Sequence, residues 1–452
     1  MRAESIQMLN WKACLIGALT LAMMVGSVQA HVSVEQAALL QGVLTPIGAE
    51  RAGNADGSIP AWSGGLASTP VLRAGYYPDP FAGEAPLLRI DVGNAQKYAQ
   101  YLSVGQLALL KQKPGYWMDV YPAHRSAAYP NDVYTLAGKA AITTELNSGG
   151  NGYSQAGGSP VPFPIPSNAY EVMWNHLSRW RGGSIERDMA SFPVLANGNT
   201  YKIGYHESIA FNHSLDRPQN NLLLAVVLQY TAPTSLDGSA VLIWEPFDQT
   251  MRSHFVWTYT AGQKRVRRSP PINFGYQVNG LRLSDQLDGF SGAFSRYDWK
   301  LLGKQEMMIP YNAYRLLDKK RTYAQLIQPG FLQRDSTRYE RHRVWVVEAT
   351  LKTGVAYPYA KRRFYLDEDT WQVALEDIYD PSGGLWRHGE HHMVEYYDAK
   401  VPWYAANVWY DLKSGAYLTH GMMNEEVRPI VFNKLQEWVS YGPDALRRLG
   451  HK

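Results

Sequence analysis

The sequence predicts an α+β fold organised around an antiparallel β-meander, and three observations predict it. Between Arg252 and Trp386, short aromatic-rich runs alternate with clusters of arginine and lysine. In RVWVVEAT, from Arg343, Val344, Val346 and Glu348 point to one face and Trp345, Val347 and Ala349 to the other, because strand side chains alternate. Turn chemistry separates the runs. Tyr357-Pro358 precedes Arg363–Leu366, Asp367-Glu368-Asp369 precedes Trp371–Tyr379, and Asp380-Pro381-Ser382-Gly383-Gly384 closes the third strand.

The chain begins with Arg2 and Lys12, an apolar run from Cys14 to Val25, and the small residues of Ser27-Val28-Gln29-Ala30. This is the pattern of a secretory signal cleaved after Ala30, so residues 1–30 are read as the signal and residues 31–452 as a single periplasmic domain. Cys14 is the only cysteine. The mature chain therefore has no disulfide, thiolate nucleophile or zinc-thiolate site. No other apolar run reaches the roughly 18 residues of a membrane span. A net charge of +4 gives no bulk attraction to a nucleic acid. Aromatics make up 12%, with 30 Tyr and 14 Trp against 12 Phe, a bias towards rings that suit surfaces both apolar and wet.

Val34 to Gln41 predicts a short helix. Leu44 to Gly65 (LTPIGAERAGNADGSIPAWSGG) is a string of turns expected to lie ordered against the sheet as a Gly/Pro-rich extension. Ile90 to Gln112 is helical, with Asn94 and Ser103 as candidate caps and Pro114-Gly115 as the stop. Lys139 to Asn147 predicts one more short helix. Ser148 to Pro166 is a loop anchored by aromatics, and Asn168 to Arg181 is a helix with Met173, Leu177 and Trp180 inward. Strands are expected at Tyr201–Ile209, Asn221–Tyr230, Ala240–Glu245, through the meander, and at Met393–Tyr397 and Tyr404–Asp411. The tail carries a helix from Asn433 to Val439.

Enzyme signatures are absent: there is no Gly-x-Ser-x-Gly elbow, phosphate-binding Gly-Lys-Ser/Thr loop or His-Glu-x-x-His. His388, Glu390 and His392 share a strand face and form a conceivable metal set. Ligands at i, i+2 and i+4 spread over roughly 13 Å, however, which favours a polar strand. Asp367, Asp369, Asp377 and Asp380 are the carboxylates a glycosidase would draw on, but all sit in or near turns. Arg265, Arg267 and Arg268, and Lys361, Arg362 and Arg363, fit either anionic head groups or the exposed face of two strands.

The passages LTPIGAERAGNADGSIPAWSGG, PFPIPSNAYEVMWNHLSRWRG, GQKRVRRSPP, RYDWKLLGKQEMMIPYNAYRL and KRRFYLDEDTWQVALEDIYDPSGGLWR resemble the family known as domain of unknown function 1329, an outer-membrane lipoprotein-sorting-like family. Ala169 stands where the family pattern suggests glycine. The resemblance implies a fold similar to the carriers LolA and LolB: a strongly curved antiparallel sheet forming an incomplete barrel, with helices covering its concave side. It implies a non-enzymatic periplasmic carrier of lipids, lipoproteins or other hydrophobic compounds towards or from the outer membrane. Inner-membrane transporters and outer-membrane proteins are the implied partners, with peripheral membrane contact and no cofactor. A secreted carbohydrate-active enzyme or lectin is the alternative. On the carrier reading, Phe255, Trp257 and Tyr259, Trp345 and Val347, and Phe364 and Leu366 are expected to line the cavity, with Arg265 and Arg267 facing head groups.

Overall fold

The computed structural model describes residues 32–66, 69–72, 76–154, 158–252, 254–269, 277–278 and 280–449; the signal read at residues 1–30 lies outside the described residues. Six α-helices are described: α1 (Val34–Ala37), α2 (Val104–Gln112), α3 (Asn131–Thr143), α4 (Ala169–Ser178), α5 (Tyr323–Leu326) and α6 (Pro443–Leu449). The strands are β1 (Leu88–Ile90), β2 (Met118–Val120), β3 (Ser184–Val194), β4 (Ile203–Phe211), β5 (Leu224–Ala232), β6 (Ala240–Glu245), β7 (Phe255–Thr260), β8 (Arg265–Arg268) and β9 (Gln277–Val278). They continue with β10 (Arg282–Leu283), β11 (Tyr297–Pro310), β12 (Tyr339–Leu351), β13 (Lys361–Asp367), β14 (Val373–Tyr379), β15 (Leu385–Tyr396), β16 (Val401–Asp411), β17 (Tyr417–Met422) and β18 (Val431–Phe432).

Sixteen strands form one sheet in the order β1-β2-β12-β13-β14-β15-β16-β17-β3-β4-β5-β6-β7-β8, with β11 beside β12 and β18 beside β3. Pairing is antiparallel apart from the parallel contact of β2 with β12. The two ends of the path do not pair, so the sheet stays open. β14, β16 and β17 are buried along their whole length, which places them between two covering layers.

The register assigns each strand residue to a face. Val347 pairs with Phe364, Phe364 with Glu376, Glu376 with Gly389, and His391 with Asn407. The same face continues through His420, Ser191, Arg187, Glu207 and Ile209 to Val226 and Ile243. Helix α4 covers its first part, packing Val172, Met173 and Trp174 on Val347, Phe364 and Leu366. The side chain of Asn168 caps that helix by accepting from the Glu171 amide.

The other face receives α2. Ser103 caps α2 in a reciprocal box with Gln106, and the Ser103 hydroxyl and Gly105 amide both donate to Asp377 at 3.1 Å. A Cβ at Gly105 would stand 2.1 Å from His388 Nδ1, so only glycine permits this approach. The two helical segments expected on one concave side thus lie on opposite faces. α4 offers an apolar flank, whereas α2 docks through its polar N-terminus. The expected helix at Lys139–Asn147 is displaced towards the N-terminus, into α3.

The glycine-rich segment 44–65 is tied to the sheet. Trp371 Nε1 donates to the Ile47 carbonyl, Arg343 to the Ala52 carbonyl, Asn54 to Glu306 and Arg341 to Asp56.

Candidate functional site

Beyond Ser178 the chain leaves the helix at Arg179 with extended backbone, φ −46° and ψ 151°. Extended geometry sends alternate side chains the same way, so Arg179 and Arg181 both turn towards the α4 face of β3 to β5. There they meet Asp288, which follows β10 and holds a left-handed φ of 53°. Arg179 Nη2 and Arg181 Nη1 each donate to the same oxygen, Asp288 Oδ2, at 2.6 Å, while Trp403 Nε1 donates to Oδ1 at 3.2 Å. One strand further in, Arg187 Nε donates to Glu207 Oε2 at 2.6 Å, its Nη2 donates to the Tyr404 hydroxyl, and its guanidinium lies 4.2 Å over the Trp403 ring.

Burial, together with the neighbouring charge of Arg179, brings Arg181 down to about 10. Burial works against an ionised Asp288, but Arg179 and Arg181 hold it well below the usual carboxylate range. Burial also opposes the charge of Arg187, yet Glu207 and Tyr404 keep its pKa above the ordinary guanidinium value. Four buried atoms of this cluster have no hydrogen-bond partner among the described residues: Arg179 Nε, Arg181 Nε, Arg187 Nη1 and Glu207 Oε1.

The cluster borders a chamber of about 40 Å³ whose remaining walls are largely apolar, among them Leu177, Ile209, Leu224, Val226 and Phe290. Leu223 forms part of that wall and also part of a second, more open groove of about 300 Å³, whose lining includes Tyr153, Phe211, His213 and Pro218. A narrow charged chamber and a wider apolar groove therefore share one leucine in their walls.

The predicted site residues fall elsewhere. Phe255, Trp257 and Tyr259 lie on the α2 face, since Trp257 pairs with Leu242 and Leu242 with Val227, on the opposite side from Val226. The C-terminal residues Trp438, Tyr441 and Leu446 pack over them, with Tyr259 buried and Trp257 half-buried. Trp345, Val347, Phe364 and Leu366 lie on the α4 face and pack with Trp174, Phe290 and Phe294. The seven residues expected to form one cavity wall are thus split between two faces, and none of them lines the chamber or the groove. Arg265 and Arg267 are exposed on the edge strand β8, on its α4 face opposite Thr260 and Thr258.

Strand alternation does bring His388, Glu390 and His392 together. Glu390 lies 4.0 Å from His388 Nε2 and 3.7 Å from His392 Nε2. Its oxygens, however, accept from the hydroxyls of Tyr116 at 3.1 Å and Tyr339 at 2.8 and 2.9 Å, and His388 Nδ1 is 2.7 Å from Asp377. Burial opposes charge on both groups. Asp377 nevertheless raises the pKa of His388, while Arg334 and the two histidines lower that of Glu390.

A different set, His342, Asp367 and Asp369, places three possible metal-ligand atoms within 4.8 Å of one another. Both Asp369 oxygens are engaged by Arg125, at 2.7 and 2.8 Å, as in an ion pair. Burial, with the Asp369 and Glu368 charges added and His342 opposing, pushes Asp367 up to about 7.

Sequence reasoning missed Arg179, Arg181, Arg187, Glu207 and Asp288. The available signal was SRWRGG, where two arginines alternate directly after a helix.

A family model described as "Protein of unknown function (DUF1329)" matches residues 89–447. The chain is similar to Uncharacterized protein PA3922 of Pseudomonas aeruginosa, with 45% identity over 445 residues that cover 96% of this chain and 97% of that protein. Among solved structures it is similar to a DUF1329 family protein of Desulfovibrio piger, with TM-score 0.41 and 12% identity over 59% of this chain and 92% of that one. It is likewise similar to a LolA superfamily protein of Nitrosomonas europaea, with TM-score 0.38 and 12% identity over 62% of this chain and 100% of that one.

Proposed function

The chain belongs to the DUF1329 family, and from that premise we propose that it is a non-enzymatic periplasmic carrier of lipids or other hydrophobic compounds, moving them towards or from the outer membrane. The observation that carries this reading is the apolar groove of about 300 Å³ on the α4 face, beside a narrower chamber with which it shares Leu223. Small-molecule sites begin at about 300 Å³ and are mostly apolar with a few placed polar groups. Each methylene withdrawn into such a groove contributes about 0.8 kcal/mol. The signal-like N-terminus suits a secreted protein, and no described helix is long and apolar enough to cross a membrane. An inner-membrane transporter and outer-membrane proteins are the partners such a carrier would serve.

Of the four carboxylates an alternative glycosidase would draw on, Asp367 accepts a hydrogen bond from Thr370 and the other three are in ion pairs. Asp369 pairs with Arg125, Asp377 with His388 and α2, and Asp380 with Lys413.

Transfer of a fluorescent acyl lipid between two vesicle populations tests the proposal. The protein is expected to accelerate transfer in proportion to its concentration and to retain a lipid through native mass spectrometry after isolation from periplasm. Failure to bind any acyl probe, with no acceleration, would remove the carrier reading.

A further inference from the structure

We propose that the β7–β8 margin of the sheet is a docking surface for an anionic lipid bilayer. The proposal goes beyond the carrier reading, since it assigns where the protein rests on a membrane and not what it holds.

Charge gives the first argument. In the hairpin from Phe255 to Arg268, Lys264, Arg265, Arg267 and Arg268 are joined by no acid, so this one hairpin holds +4, the net charge of the whole chain. All four residues are exposed, and none is in an ion pair with a described residue. The other basic run behaves differently: Lys361, Arg362 and Arg363 each face Glu348, Glu376 or Asp285. Acids on the elements packed beside the hairpin are engaged, Glu245 of β6 with His254 Nδ1 at 2.6 Å and Asp444 of α6 with Arg447 at 3.6 Å. One exposed acid, Asp237 on the adjoining β5–β6 turn, leaves the cationic excess standing.

Position gives the second. β8 ends the sheet, and its outer edge is unpaired among the described strands. Arg265 and Arg267 leave it on the α4 face and Arg268 on the other, opposite Trp257. Cations therefore run along one margin from both faces, as contact with a flat charged surface requires.

The aromatic rim gives the third. Trp244, Trp257 and Trp438 are all part-exposed, with Trp244 ring centroids 4.5 Å from Trp257 and 5.0 Å from Trp438. The Arg268 guanidinium lies 4.0 Å over Phe255, and Val439, next to Trp438, is 49% exposed. Tryptophans with one wet edge beside cations suit the boundary between acyl chains and water. An acidic protein would complement the arginines, but this rim favours lipid.

Guarding the edge against strand addition is a simpler use of the same arginines. Charge of either sign does that, whereas only a positive margin binds anionic lipid. That difference sets the test.

Flotation of the mature protein with phosphatidylcholine vesicles, with and without phosphatidylserine, reads adsorption directly. The wild type is expected to float only with phosphatidylserine, and to be released as salt shortens the screening length from about 10 Å to about 3 Å. Arg265→Gln with Arg267→Gln is expected to weaken binding about thirtyfold, about fivefold for each charge. Arg265→Glu with Arg267→Glu is expected to abolish flotation while the sample stays monodisperse in light scattering. Lys97→Glu with Lys320→Glu makes the same change in net charge at exposed positions elsewhere, and is expected to retain most of the binding.

Equal flotation with neutral vesicles overturns the proposal, as does binding that survives high salt. An equal loss in the two glutamate pairs reduces the effect to bulk charge and also overturns it. Binding to polyaspartate with none to vesicles makes the margin a site for an acidic protein, and the lipid assignment falls. Should the Arg265→Glu, Arg267→Glu pair aggregate, the glutamine pair and the salt series decide. Cargo is absent throughout, so none of these outcomes touches the carrier proposal.

Discussion

The two faces of β15 and β16 bury charge in different ways. On the α2 face Glu390 spends both oxygens on tyrosine hydroxyls, and Arg334 closes the group by donating to Tyr339 at 2.6 Å and lying 4.0 Å over the Tyr116 ring. On the α4 face Arg179 and Arg181 border open volume, and their Nε–H groups, like Arg334 Nη1 on the α2 face, have no partner among the described residues. Where the acceptor's bonds are spent, charge behaves as architecture, since removing any member strands the rest. Where open volume adjoins the cluster, the loss of one member strands fewer groups.

The sharpest way to break this contrast is to delete one member from each face. Glu390→Ala strands a buried Arg334 and two hydroxyls, with an expected loss of about 3–5 kcal/mol in urea unfolding. Arg181→Gln is expected to cost less than half as much, because Arg179 still neutralises Asp288 and Trp403 still donates to it. Equal losses would mean that both clusters are structural.

The aromatic stripes offer the next test. Phe364→Ala opens a void in the packed layer under α4 and is expected to cost about 3–5 kcal/mol. Trp257→Ala, half-buried beneath the C-terminal helix, is expected to cost about 2 kcal/mol, since less of it leaves contact. Neither is expected to change binding of an acyl probe.

Acidification probes both faces together. Burial holds His391, on the α4 face, and His392, on the α2 face, down to about 4. Each favours the folded chain fully above its unfolded value near 6.5, and that advantage is lost as pH falls from 6.5 towards 4. His388, shifted upward, does the reverse: its contribution is complete below 6.5 and disappears as pH rises through its folded value. Stability is therefore expected to decline below pH 6.5, by up to about 1.4 kcal/mol per pH unit for each histidine held neutral. His391→Gln should reduce that slope by about one proton, and an unchanged slope would exempt this residue.

The smallest stability effect belongs to the exposed arginines of β8. Arg265→Gln with Arg267→Gln is expected to change stability by no more than about 0.5 kcal/mol. If these side chains meet anionic lipid, the same double variant weakens adsorption to phosphatidylserine vesicles by about 1 kcal/mol per charge.

Much of the meander was legible because alternation and turn residues are local signals. Ala240–Glu245 was read with its observed limits, and of the two expected caps Ser103 does cap its helix whereas the Asn94 side chain caps nothing. What alternation does not give is which face of one strand continues into a strand ten positions away. Trp257 and Trp345 looked equivalent, yet register places them on opposite sides. Bulges at Tyr365/Leu366, Ile378/Tyr379 and His392/Met393 shift that register where local pattern gives no warning. β3 was missed altogether: in SIERDMASFPV the α4 face carries Arg187, so the apolar alternation is interrupted by a buried charge. For the same reason Lys361-Arg362-Arg363 read as one basic surface. Arg362 is wholly buried between Glu376 and Asp285, and its neighbour Arg363 pairs with Glu348 on the opposite face. A buried arginine and a surface arginine are spelled alike.

The open ends of the sheet carry a consequence for handling the protein at high concentration. β8 offers an outer edge that no described strand pairs with, and such an edge is a template on which a foreign strand grows. Here the template carries Arg265, Arg267 and Arg268 within four residues and ends on the left-handed turn at Lys264. A second molecule arriving in register would lay arginine against arginine. The margin of this sheet thus repels its own kind, and replacing those arginines with threonine should promote edge-to-edge elongation, which light scattering at high concentration would detect.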